Sequence, residues 1–350
     1  MDIPGRGPAG HTLHMLRWPG FAPITRLISL VGRSAPGRSA GYRLVALALL
    51  IACGGATTVA RAETASPTTE GTAPVVGFDR GLLWRIDKAT APGRGPNPSH
   101  LYGTVHIDDP RATAFNANVL RALEQSRVFL PELLPDEASA QAFSAATRAA
   151  PGQTLETLAA PDDFERIAGR LGTRYGVPRS VASRLKPWAA YVYLSQPARP
   201  MGEIVDAALI RLAQQQGLAV RPLETVAQQI AAMEAVPVPS QLALVAALAR
   251  DHDSALAEVD RLVELYLAQD LAGMRRLEES AVRDDPTLRQ PMADFMEQVL
   301  ERRNERMLVT LLPQLEAGGA FAAMGALHLT GEQGLLARLA RAGWRVQRVD

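Results

Sequence analysis

The 350-residue chain has a single cysteine, Cys53, so no intrachain disulfide, thiol pair or cysteine-built metal site can form. An apolar core has to hold the fold instead, and a composition of 47% hydrophobic and 21% charged residues is that of a globular protein able to build one. A surplus of one charge is also missing, with 37 Lys and Arg against 36 Asp and Glu. Seven of those Arg lie in residues 1–62 beside one acid, Asp2, so the rest of the chain has an acidic excess. That excludes the basic face a nucleic-acid partner would need. Long apolar runs are absent as well: the longest near the start, "LVALALLIA" at Leu44 to Ala52, is too short to span a bilayer. Beyond residue 62 there is no phosphate-binding G-x-x-x-x-G-K-[ST] loop, no H-E-x-x-H and no G-x-S-x-G.

What stands at the start is an export signal over residues 1–62. Arg43 precedes the apolar run, and two processing sites compete behind it. "ARA" at Ala60 to Ala62 suits ordinary signal peptidase, whereas "LIAC" at Leu50 to Cys53 reads as a lipobox, with Cys53 becoming a lipidated N-terminus and a point of membrane attachment. The expected location is the periplasm, free or as an outer-membrane lipoprotein; an uncleaved anchor is the alternative, and translation could start downstream, for instance at Met15. Three motif matches in this leader, "GRGPAG" at Gly5 to Gly10, "HTLH" at His11 to His14 and "GRSAG" at Gly37 to Gly41, follow no strand and carry no chemistry. Residues 63–76 are polar and Pro-punctuated, a flexible linker.

From residue 77 to 350 the pattern predicts one α/β (α+β) domain. "GLLWRID" and "SHLYGTVHI" read as a hairpin, "VFLPEL" at Val128 to Leu133 as a third strand, and "LAVRPLET" at Leu218 to Thr225 as a strand after a helix that ends at Gly217. Helical spacing dominates between about 136 and 313. At the end, "AFAAMGA" reads as a buried strand, "GEQGLLARLARAG" as a helix closed by Gly343, and "WRVQRV" as a last strand. The expected architecture is a central mixed sheet built from both ends of the domain, with a large helical section inserted.

Two matching tetrads fall on that sheet, GTVH at Gly103 to His106 and GALH at Gly325 to His328. Each places a His just past a strand, and a helix N-cap is expected shortly after it: Asp109 with Pro110 in the first case, a Thr330–Gln333 capping box in the second. The carboxyl rim of an α/β sheet is where ligands bind. Gly103 and Gly325 would let the backbone approach a bound group or take a positive φ. Beyond the leader there are only four His, so two of four sit in the tetrads; His100 and His252 are the others. A carboxylate would complete two imidazoles as a catalytic metal site with an open position for water, and Glu132 and Glu224, each ending a strand candidate, are the choices. Such a metal polarises a carbonyl and activates water without a protein nucleophile. Arg303, with Asn304 beside it in "ERRNERM", would supply a fixed cation. Solvated surface carboxylates and an ordinary charged helix face are the competing readings of Glu132, Glu224 and Arg303.

The stretches "LWRI…HLYGTVHIDDPR", "VFLPEL", "KPW" at Lys186 to Trp188, "GEIVDAAL", "RPLET", "RRNERM" and "FAAMGALHLTGEQGLLARLARAGWRV" together resemble the TraB/PrgY/GumN family, whose animal relatives are the Tiki proteases, over about Leu82 to Val349. The resemblance implies an erythromycin-esterase/ChaN-like fold and metal-dependent peptide cleavage supported by manganese or cobalt. It carries His106, His328 and Glu132 over as the metal set and Glu132 and Arg303 as catalytic residues; His and carboxylate donors also suit zinc. Pro131 before the glutamate and the acidic "HIDDP" depart from the family pattern and bear on loop shape. The function expected is an exported metal-dependent, peptidase-like hydrolase. The alternatives are a non-catalytic module that sequesters a small peptide or haem, and a structural role in envelope assembly.

Overall fold

The computed structural model describes residues 77–88, 97–197 and 202–349. The expected export signal and linker, Cys53 and the three leader motifs lie outside the described residues. Six strands form one mixed sheet in the order β4-β3-β5-β2-β1-β6. They are β1 (Leu83–Asp87), β2 (Ser99–Thr104), β3 (Val128–Pro131), β4 (Ala219–Val220), β5 (Ala320–Gly325) and β6 (Arg345–Arg348).

β5 lies between β2 and β3 and runs parallel to both, with Thr104 opposite Gly325 and Pro131 opposite Ala323. Its sequence AFAAMG explains the position: small and apolar side chains on successive residues suit a strand covered on both faces, and all but Gly325 are buried. β1 pairs antiparallel with β2 as the hairpin reading requires, and β6 pairs antiparallel with β1 at the edge. β6 carries Arg345 and Arg348 there, mostly exposed, and charge blunts a free edge. Five of the six strands come from the two ends of the described chain, and β4 comes from within the helical section. β4 is shorter than the stretch 218–225 suggests, because Pro222 has no N–H to donate. Even so, Arg221, Leu223 and Glu224 donate backbone bonds to the carbonyls of Phe129, Pro131 and Glu132, and this carries Glu224 alongside Glu132.

Two apolar clusters stabilise the described residues. The first surrounds the sheet, with Phe129, Leu130, Phe321 and Leu101 fully buried; the second fills the helical section around Trp188, Leu171, Leu194 and Val245. Each large apolar side chain removed from water contributes about 1.5–3 kcal/mol.

Both expected N-caps fail. Asp109 is engaged by its own neighbour, its Oδ1 accepting from the Arg111 N–H at 2.8 Å, and Pro110 sits in a turn. The helix starts only at Ala117–Glu124, where the Asn116 side chain accepts from the N–H groups of Asn118 and Val119. After β5 the chain enters a 3-10 turn, Ala326–His328, and the helix Leu335–Arg341 begins behind Gly334 with no side-chain cap. Thr330 donates instead to the Phe78 carbonyl, and the Gln333 carbonyl accepts from Asn304. Gly331, at φ +82°, makes the turn that separates strand from helix.

Candidate functional site

The parallel β2–β5 pair brings the tetrads side by side at one rim. His106 follows β2 by two residues, and His328 lies in the 3-10 turn after β5. Glu132 is the residue after β3, on the other side of β5. A Cβ built on Gly325 would stand 3.5 Å from His328 Cδ2, 3.7 Å from Glu132 Oε2 and 4.0 Å from His106 Nε2. The two imidazoles and the carboxylate thus converge on one point that Gly325 leaves open. The glycines do this without strain, since neither Gly103 nor Gly325 has a positive φ. Gly103 has the other role expected of it, close approach: its added Cβ would meet Ala326 and Leu329 atoms at 3.1 Å.

Each imidazole has a polar partner at Nδ1, a hydrogen bond for His328 and an ion pair for His106. His328 Nδ1 lies 2.7 Å from Asn304 Oδ1, and the Asn304 amide is oriented by donating to the carbonyls of His328 and Gln333. The amide oxygen can only accept, so the His328 Nδ1 carries the proton and Nε2 the lone pair. His106 Nδ1 lies 3.1 Å from Asp206 Oδ2, while Asp206 Oδ1 accepts from the Thr104 hydroxyl. Neither Nε2 has a hydrogen bond among the described residues.

Glu132 is held from both sides. Its Oε1 accepts from Arg303 and, at 3.0 Å, from Gln229 Nε2; its Oε2 accepts from the Gly325 N–H at 2.9 Å. Arg303 Nε also donates to Glu224 Oε2 at 2.8 Å. Side-chain exposures of 7%, 0% and 2% for Glu132, Glu224 and Arg303 overturn the solvated-surface reading of all three. Arg303 reaches this position from the helix Arg302–Ala317, just after a π-helical turn at Glu297–Glu301, a local irregularity common at functional sites. Its Nε and Nη2 are committed to the two carboxylates, so its charge serves them first.

The charges follow from these contacts. Burial works against ionising Glu132, but Arg303 and the two imidazoles hold its carboxyl well below the usual range. Burial pushes Glu224 up, with Arg303 opposing. His328 is lowered to about 3 by burial and the nearby Arg303 cation, which keeps it neutral. His106 is raised to about 9: burial opposes the charged form, but Asp206 and then Glu132 outweigh it.

Three polar residues of this region are not among the sequence candidates. Asp206 was within reach, as the acid of "GEIVDAAL" in the first turn of the helix Val205–Gln215. Gln229 gives no signal beyond its neighbours. Glu278 does, since it shares the apolar stripe Leu271, Met274 and Leu277 of the helix Leu271–Asp284, and it lines the same cavity as His106, Glu132 and His328. His100 and His252 lie apart from the site; His252 Nε2 is engaged by the Tyr175 hydroxyl at 2.9 Å and the Leu194 carbonyl at 3.1 Å, a structural role.

Among the described residues no three His, Cys, Asp or Glu side chains stand as a ready-made metal-holding group. The two Nε2 atoms make no hydrogen bond among the described residues; that of neutral His328 matches what a metal asks of histidine, and that of His106, raised to about 9, matches it once the ring has given up a proton. The carboxylate matches in type, but its protein donors already occupy both oxygens.

Neither the curated proteins nor the solved structures include a match to this chain. The model of the TraB/PrgY/gumN family matches residues 82–348, from the strand before the first tetrad to the last strand of the sheet. With the match running over most of its length, the chain belongs to the TraB/PrgY/gumN family.

Proposed function

We propose that the protein is an exported metal-dependent hydrolase acting on peptides, with its site at the rim where the tetrads meet. One observation carries the reading: two imidazoles, each with a polar partner at Nδ1 and no hydrogen bond at Nε2 among the described residues, stand with an ionised carboxylate around the point that Gly325 leaves open. His106 and His328 would hold a divalent ion through Nε2, with Glu132 the third ligand through Oε2. Manganese or cobalt is the expectation from the family, and zinc suits the same donors. Such an ion supplies Lewis acidity and a bound water of lowered pKa.

The chain's own residues do the rest. Asn304 fixes the tautomer and direction of His328, and Asp206 does so for His106. Arg303 and Gln229 hold Glu132 ionised and in place, so that it can accept a proton from water or act as a ligand. Because Arg303 acts through Glu132, it is a positioning residue. The export signal and Cys53 give the proposed setting, the periplasm, with lipid attachment if the lipobox is used.

A binding module for a small peptide or haem is the second reading, favoured by the satisfied oxygens of Glu132, which leave the site complete without a metal. Haem needs one imidazole, and His106 is the more exposed of the two. Cleavage of a peptide library with manganese, cobalt or zinc, and with chelator, separates the readings. The hydrolase requires cleavage that chelator abolishes and that His106→Ala and Glu132→Gln both lose; an inert protein that develops a Soret band on haem titration supports the module.

A further inference from the structure

Glu278 projects from the helix Leu271–Asp284 among core residues and is only 4% exposed. No protein group among the described residues donates to it or pairs with it, and its Oε2 is buried without a hydrogen-bond partner. Burial alone, with no cation offsetting it, pushes the carboxyl well above the usual range. It is then a neutral acid, with one O–H to donate and lone pairs to accept. Buried polar groups are almost always satisfied, and one left without a partner destabilises the fold, so its retention calls for an explanation. The cavity it lines supplies one: His106, Glu132 and His328 share it, and Leu262, Met274 and Leu300 make its apolar wall.

We propose that Glu278 is a substrate-binding group whose carboxyl O–H donates to a neutral carbonyl oxygen, an amide or ester flanked by an apolar group, bound in the cavity it shares with the two histidines. The inference rests on the proposed reading of this cavity as the substrate site, but it does not require that the substrate be cleaved.

The test uses the whole protein, with N-acetyl-leucinamide as the probe, followed by NMR titration and by thermal melting without probe. Wild type should bind, Glu278→Gln, which keeps a neutral donor, should bind within about threefold, and Glu278→Leu should bind about tenfold more weakly, the loss expected for one buried hydrogen bond. Glu278→Leu should also melt at a higher temperature than wild type, because it removes an unsatisfied buried group. A Leu variant that binds as wild type does, or that melts lower or fails to fold, overturns the proposal, as does a Gln variant as weak as Leu or a wild type that ignores the probe. Binding without cleavage of any library peptide would instead count against the hydrolase and leave this assignment standing.

Discussion

Arg303 is the residue on which the charge balance of the site turns. It is buried, and it pairs with two carboxylates that have little access to water. Removing one partner of such a pair leaves the other uncompensated, at a cost of about 3–5 kcal/mol. Arg303→Met should therefore lower stability by that order in chemical denaturation. Arg303→Lys should rescue little, since a single ammonium nitrogen cannot stand in for both Nε and Nη2, which reach different carboxylates. Wild-type stability in the Met variant would mean that the pair is not formed. Away from the rim, His100 makes a second residue-level prediction. Burial first and Arg85 second lower its pKa from 6.5 to about 4, so the folded state prefers the neutral ring. Its contribution to stability is complete above about pH 6.5 and is lost as pH falls toward about 4, because the unfolded chain takes up the proton first. The denaturation midpoint of His100→Gln should fall less than that of wild type over this window; parallel slopes would contradict the assignment.

At the level of elements, the two tetrads use their glycines differently. A Cβ on Gly103 would press on Ala326 and Leu329 at 3.1 Å, where β2 packs against the turn after β5. A Cβ on Gly325 meets only ordinary contacts, but it enters the space between His106, Glu132 and His328. Gly103→Ala should lower the melting temperature, and overpacking typically costs about 1–3 kcal/mol. Gly325→Ala should melt near wild type yet lose metal binding and cleavage. Equal stability loss in both variants would show that the glycines share one role. The strands and their rim were legible in the sequence because apolar runs such as AFAAMG and VFLP have few other solutions in a chain of this kind. Glu132 and Arg303 were each singled out in the sequence, but their pairing was not legible there, since 171 residues separate them. The helix starts were misread because an Asp or Thr at a plausible cap position has competing partners, here Arg111 and the Phe78 carbonyl, that local spacing does not reveal. Glu278 was passed over for a related reason: an acid on an apolar stripe reads as a break in pattern until the cavity beside it is seen.

At the scale of the whole molecule, the site exists only because distant segments meet. β2 and β3 come from one end of the domain and β5 from the other, and the helical section between them delivers Asp206, Gln229, Glu278, Arg303 and Asn304 to the same rim. The central claim is that His106 and His328 serve one metal. Metal content of the purified protein after loading with manganese, cobalt or zinc, measured by elemental mass spectrometry for wild type, His106→Ala and His328→Ala, tests it most directly. About one ion per wild-type chain is expected, as one shared site holds one ion, with its loss in both variants. Retention of the wild-type metal content by either variant, or no uptake by wild type, would contradict it.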